Sequence, residues 1–443
     1  MPSPTDSEAG GQAGTAAGTR PPAVADALRA AAAAHGTPAY VTDLATLDRA
    51  AAAVREAFPD PWIRQYSIKA NDVPEIVAEV TSRGFGANVV SRGEWAIARR
   101  AGLPNERITL EGVGKTDADL RDAVRATSTG KTPLAWVALE SADEAEIVTR
   151  MARRAGLGKG ARPALEVLIR LNPDVVPETI SGLAVGDGAS KFGLTETEAT
   201  GLVEWLASNA GGAVRPRGIH LHVGSQLRAV DAWRDAVRRA LAVVGLLRGG
   251  LAAFDTLDVG GGFPVMPLGE PAPDPERFAR EIPELLAAVP EDRRPSRLAI
   301  EPGRALVARS GWLVASVLHV RERGGRQIVI DAGMTELIRP ALYGARHPIV
   351  ALTTLGRAIA PDEAAPALEP ARVEGPICES TDVLGIHDLP PLRRGDLVAI
   401  SEAGAYAASL ASTYNGRPRA TQVFVEMDGR LRQTLRQPRR ARS

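Results

Sequence analysis

Ile63-Arg64-Gln65-Tyr66-Ser67-Ile68-Lys69-Ala70-Asn71 (residues 63–71) reads as a short strand that delivers a lysine to its C-terminal end. Burial there favours the neutral amine, which attacks carbonyls, so such a lysine is either paired or put to use. One lysine proves little, because long cationic side chains at strand ends commonly run along the surface to water.

Seven more runs of the same texture follow, at residues 87–90, 107–110, 134–139, 164–171, 217–222, 256–259 and 297–300, alternating with amphipathic helical stretches. Ser91 with Glu94 and Ser141 with Glu144 are spaced to cap two of those helices reciprocally. Eight strand–helix units predict a (β/α)8 TIM barrel. An open doubly wound sheet usually has fewer strands and binds its ligand at one switch point, whereas the unusual residues here spread around the ring. Lys69 follows the first strand, Asn88 lies in the second, His222 ends the sixth, Gly260-Gly261-Gly262 follows the seventh, and Glu301-Pro302-Gly303-Arg304 follows the eighth. These are C-terminal strand ends, the catalytic face of such a barrel.

After about residue 305 the texture changes to short strand-like runs separated by Gly, Pro and charged turns, which predicts a β domain. Pro38-Ala39-Tyr40-Val41 is also strand-like and is expected to join it. The expected organisation is a disordered tail (1–22), a barrel (43–304), a β domain built from 23–42 and 305–435, and a basic tail (436–443) without assigned function.

Composition narrows the partners. In 443 residues, 53 Lys and Arg balance 53 Asp and Glu, so no basic surface argues for nucleic acid or an anionic membrane. One cysteine cannot form an intrachain disulfide, and no apolar run reaches the length of a membrane span. A cytoplasmic enzyme acting on a small molecule is expected.

The strand-end residues each have a bland reading. The glycine triplet suits a tight turn as well as an anion, and His220 suits the core. Glu301, at the end of an apolar strand, needs a partner, which any arginine can supply. His220 and His222 lack nearby cysteine or carboxylate at familiar metal-ligand spacing, so no metal is expected. Together, a lysine, a flat imidazole, a phosphate-sized glycine loop beside Arg304, and a carboxylate for a ring nitrogen meet the needs of pyridoxal 5'-phosphate.

From about Pro38 to Val425 the chain resembles the fold-type III pyridoxal-phosphate decarboxylases, and among them the diaminopimelate decarboxylases. The likeness is carried by Tyr66-Ser67-Ile68-Lys69-Ala70-Asn71, Ser190-Lys191-Phe192-Gly193, His222-Val223-Gly224-Ser225-Gln226, the glycine triplet, Glu301-Pro302-Gly303-Arg304, Asp331-Ala332-Gly333-Met334, Arg339-Pro340-Ala341-Leu342-Tyr343, Gly375-Pro376-Ile377-Cys378-Glu379-Ser380 and Gly404-Ala405-Tyr406. It implies an alanine racemase-like fold, a TIM barrel with a C-terminal β-barrel or β-sandwich, and decarboxylation of meso-2,6-diaminoheptanedioate to L-lysine and CO2. By the same resemblance Lys69 forms the Schiff base, His222 stacks on the ring and Glu301 pairs with its nitrogen. Ser225, Gly261, Gly262, Gly303, Arg304 and Tyr406 surround the phosphate, with Arg304 and Tyr406 also reaching substrate. Arg339 and Tyr343 bind a distal carboxylate. Cys378, as proton donor, and Glu379, as substrate contact, come from the partner subunit of a homodimer. Without the resemblance a lone cysteine reads as a buried packing residue. Two positions depart from the family: Asn88 stands where aspartate is usual, and Ile180 where histidine is common.

Overall fold

The computed structural model describes residues 23–128, 133–176, 178–179, 190–267, 270–360 and 367–433. The expected tails at 1–22 and 436–443, and Ile180, lie outside the described residues.

Strand β1 (Ala39–Asp43) precedes the barrel, which is closed by β2 (Ile63–Ser67), β3 (Gly86–Val89), β4 (Ile108–Leu110), β5 (Trp136–Leu139), β6 (Leu165–Leu171), β7 (Val214–Leu221), β8 (Thr256–Asp258) and β9 (Arg297–Ile300). All eight neighbouring pairs are parallel, and β9 returns to β2 through Ile63 opposite Ala299. The strands are largely apolar on both sides because helices cover the outside and packed side chains fill the inside, with Gln65, Asn88, His220 and Asp258 among the buried polar exceptions. Val89, Leu110, Leu139, Ile169, Leu221 and Ile300 are among the buried residues of one continuous core.

The two serines do cap their helices, with a difference. Ser91 Oγ accepts from Glu94 N–H, but the Glu94 carboxylate reaches back to the N–H of Val90, one residue before the cap. Ser141 and Glu144 repeat this, with Glu140 N–H as the acceptor's partner. A single residue separates each strand from its serine, and the carboxylate satisfies that residue's amide. The full reciprocal box occurs at Thr195 and Glu198.

Strand β10 (Gly311–Glu322) is the spine of a nine-stranded sheet. It pairs with β1, with β11 (Arg326–Ile330), and with strand Leu397–Ile400. β1 also pairs in parallel with Thr421–Val425, so the first strand of the fold lies beside the last but one, and the final strand, Leu431–Gln433, pairs antiparallel on its far side. Among the described residues no helix is long and apolar enough to cross a membrane.

Candidate active site

Lys69 occupies a single 3-10 turn, Ile68–Ala70, directly after β2. Ile68 and Ala70 are fully buried, but Lys69 is exposed. The desolvated lysine expected from the sequence is therefore corrected: a one-turn helix lifts the side chain clear of the strand end. Its charge acts on Glu94, His220 and His222. The sheet domain clasps this turn. Tyr406 N–H donates to Ala70 O at 2.7 Å, Asn71 Nδ2 to Gly404 O at 2.9 Å, and Ser409 Oγ to Ala70 O at 3.4 Å.

The glycine triplet and His222 meet at the ends of β8 and β7. Gly261 N–H donates to His222 Nδ1 at 3.2 Å, which makes Nδ1 the acceptor and leaves the proton on Nε2. Burial first, then the charges of Lys69 and Arg170, hold this imidazole well below its ordinary titration range. A methyl group on Gly261 would lie 2.5 Å from the Glu301 carbonyl oxygen, and one on Gly262 would lie 2.8 Å from that of Gly224. Phe263 pins the loop from behind, edge-on to Phe278 at 5.2 Å, which in turn meets Trp233 at 5.4 Å.

Arg304 is 5% exposed, yet its Nε has no hydrogen-bond partner. Its Nη2 donates to Ser225 Oγ at 3.1 Å, and its guanidinium lies 4.7 Å from the centre of the Tyr406 ring. Gly303 packs on the lysine turn, where a Cβ would come 3.1 Å from those of Ser67 and Ala70. A buried cation with an orphaned donor, beside a hydroxyl and side-chain-free glycines, fits the phosphate of pyridoxal phosphate. Ser225, Gly261, Gly262, Gly303, Arg304 and Tyr406 thus share one end of the barrel with Lys69.

Below them lies a buried polar layer. Glu301 is 4% exposed, and Asn88 Nδ2 donates to its Oε1 at 2.5 Å and to Glu111 Oε2 at 2.7 Å. His220 is no satisfied core residue. Its Nε2 lies 3.3 Å from Glu111 and 3.5 Å from Glu301, and neither ring nitrogen has a well-formed hydrogen bond. Asp258 is fully buried, with Oδ1 accepting from Gly260 N–H and Oδ2 unpartnered. Burial, then the charges of Glu301 and Glu111, push its carboxyl well above the usual range.

Arg339 is 5% exposed and sits close enough to Arg304, Tyr343, Tyr406 and Glu402 to feel their charges. Burial first, then Arg304, push it down to about 10. Its Nη1 is 2.7 Å from His347 Nε2, while His347 Nδ1 is 3.1 Å from Ser401 O. The carbonyl accepts from Nδ1–H, so Nε2 is the atom that accepts from Arg339. Further round, Glu140 pairs with Arg170 at 2.5 Å and accepts from Gly193 N–H at 3.0 Å, anchoring Ser190-Lys191-Phe192-Gly193.

Cys378 is exposed, which overturns the packing reading of a lone cysteine. It lies in the turn between strands Glu369–Glu374 and Val383–Leu389, and the neighbouring Glu379, also exposed, accepts from Tyr414 Oη at 2.7 Å. Among the described residues no hydrogen bond ties Cys378 or Glu379 to the barrel mouth. Sequence reasoning missed Glu94, Glu111, His347 and Glu402 as members of the site. Glu111 carries a signal, since it follows a barrel strand just as Lys69 and Glu301 do; Glu94 reads from the sequence only as a cap.

The pyridoxal-binding domain of the pyridoxal-dependent decarboxylases matches residues 44–308. The chain is 35% identical over 393 residues to the diaminopimelate decarboxylase of Aquifex aeolicus, covering 88% of this chain and 87% of that one. It is 37% identical over 398 residues to that of Actinosynnema pretiosum, with 87% and 84% covered. Among solved structures, diaminopimelate decarboxylase from Helicobacter pylori complexed with L-lysine superimposes with a TM-score of 0.81 at 30% identity, covering 91% of this chain and 95% of that one. Fold, site and likeness agree, and the chain belongs to the pyridoxal-dependent decarboxylases.

Proposed function

We propose that this chain decarboxylates meso-2,6-diaminoheptanedioate to L-lysine and CO2 with pyridoxal 5'-phosphate as cofactor. The observation that carries the reading is Arg339, a buried guanidinium whose 2.7 Å partner is a neutral imidazole rather than an acid. Burial first, then Arg339 itself, push His347 down to about 3, so it offers a lone pair and no charge. A cation kept this way is available to a substrate's distal carboxylate, which a planar guanidinium grips with two parallel hydrogen bonds. Curated relatives named for this reaction, and a neighbour holding L-lysine, support the reading.

When bound, the cofactor supplies an electron-poor ring that accepts the electron pair left by departing CO2. Lys69 would hold its aldehyde carbon, and the neutral His222 would lie against its ring. Glu301 would accept from its ring nitrogen, while Ser225, Gly261, Gly262, Gly303, Arg304 and Tyr406 would hold its phosphate. Arg304, Arg339, Tyr343, Glu379 and Tyr406 orient the substrate. Cys378 Sγ donates a proton to the carbon that has lost CO2. The exposure of Cys378 and Glu379 suits their insertion into the site of a second copy, so the enzyme is a homodimer with shared sites in the cytoplasm. Residues 43–304 form the cofactor-binding unit, and 23–42 with 305–435 the sheet unit.

One observation favours a second reading: Asn88 puts an amide where the related decarboxylases usually have a carboxylate, which suits a related decarboxylase of another diamino acid or a D-amino acid. Purified protein saturated with cofactor, given meso-2,6-diaminoheptanedioate, should release equal amounts of CO2 and L-lysine. Good turnover of ornithine, lysine or a D-amino acid with none of this substrate would refute the substrate assignment and leave the chemistry standing.

A further inference from the structure

The barrel buries an acid that no step above uses. Glu111 directly follows β4 and is 3% exposed. Its Oε2 accepts from the same Asn88 nitrogen that donates to Glu301 Oε1, and its Oε1 accepts from the Trp136 indole N–H at 3.3 Å. Atoms of Glu111, Glu301 and His220 all lie within 4.8 Å of one another. The groups facing Glu111 come from five elements: Asn88 on β3, Trp136 on β5, His220 on β7, Asp258 on β8, and Glu301 after β9. Among the described residues its ion-pairing partner within 4 Å is His220 alone.

Two buried carboxylates bridged by one amide nitrogen cannot both ionise without a cation, so one keeps a proton. We propose that Glu111 is a positioning residue of this enzyme: it keeps the proton that the Glu111–Glu301 pair shares, donates it to Glu301, and so leaves Glu301 as the carboxylate that meets the ring nitrogen. The inference rests on the reading of Glu301 as the ring-nitrogen partner.

Asn88 suits this arrangement. Its amide has two N–H bonds and no charge, whereas an aspartate there would add a third negative group and withdraw the donor from both acids. The electrostatics agree. Burial first, then the charge of Glu301, push Glu111 up to about 8, helped by a hydrogen bond to Glu301 that only the protonated acid can make. Burial holds His220 down at about 4 against the pull of Glu111, so His220 is neutral at neutral pH and does not cancel a second negative charge.

Infrared difference spectra of the cofactor-free protein, recorded in H2O and D2O across the range from about pH 6 to about pH 10, read protonated carboxyls directly. Subtracting the Glu111→Gln spectra from those of wild type should leave one protonated-carboxyl component that is lost as pH rises through about 8, the carboxyls of Asp258 and Glu402 being common to both proteins. In the cofactor-loaded protein, the visible absorbance of wild type should carry an inflection near the same pH that Glu111→Gln abolishes, with kcat lowered about tenfold and KM unchanged. Should Glu111→Gln not fold, Asn88→Asp gives the second reading, because an added carboxyl must shift the inflection upward. The absence of that component from the wild-type-minus-variant spectrum, or an absorbance profile that neither variant moves, overturns the proposal. A wild type that develops no visible band with cofactor overturns the parent reading of Glu301 instead, and the positioning role falls with it.

Discussion

Replacing Gly261 with alanine tests the geometry of the whole barrel mouth at one atom. The added Cβ would sit 2.5 Å from the Glu301 carbonyl oxygen, where ordinary contact begins at 3.4 Å. The loop must therefore retreat by about 0.9 Å, because its neighbour is backbone and Phe263 fixes the far side. That retreat draws the Gly261 N–H off His222 Nδ1, now at 3.2 Å, and the proton is no longer confined to Nε2. Overpacking of this kind costs about 1–3 kcal/mol of stability. A displacement of roughly 1 Å near reacting groups costs about 100-fold in rate. We expect Gly261→Ala to fold, to bind pyridoxal phosphate at least about tenfold more weakly by absorbance titration, and to lose about 100-fold in kcat. Gly114→Ala is the control, since a Cβ there meets nothing within 4 Å. Cofactor affinity and kcat both within about twofold of wild type would refute the argument that this loop is set by backbone contact.

Lys69→Ala should abolish the visible absorbance of the bound cofactor and lower turnover by several orders of magnitude; a wild-type spectrum would remove Lys69 from the chemistry. Cys378→Ala should keep the cofactor spectrum yet lose most decarboxylation, because its proton is needed only after CO2 leaves; unchanged turnover rules out its role. Stability should fall in acid. His347 titrates at about 3 in the folded protein against about 6.5 unfolded, so the stabilisation from keeping it neutral is complete above about 6.5 and is lost as pH falls toward 3. Melting temperatures measured from about pH 7 to about pH 4 should drop with a slope that His347→Gln flattens; equal slopes would show that the ring is not buried neutral.

The barrel was legible because parallel strands covered on both faces must be largely apolar, which makes each one a recognisable block. The sixth strand was read as starting at Arg217, and it starts at Val214. The ladder to β6 takes a register shift between Val167 and Leu168, opposite Pro216 and Gly218, which carries the strand past the proline. The lysine, the histidine and the glycine triplet were legible for a different reason: each departs from its block at the end where the catalytic face lies. The polar layer beneath was not. Asn88 is 23 residues from Glu111 and 213 from Glu301, so the amide bridging two acids exists only once the barrel has closed. Glu402 shows the same limit. It reads as a surface acid, but burial pushes it up to about 7 in spite of Arg309, Arg339 and Arg304 around it.

The clasp on the Lys69 turn also has a bearing on timing. The atoms that hold Ala70 and Asn71 belong to residues 404–409, so during synthesis Lys69 emerges early and the Gly404 carbonyl that holds Asn71 emerges 333 residues after Asn71 does. A nascent chain can complete all eight barrel strands while this turn is still loose. The setting of the Lys69 turn is thereby coupled to synthesis of residues 404–409, and a ribosome that stalls before them leaves a barrel without its clasp.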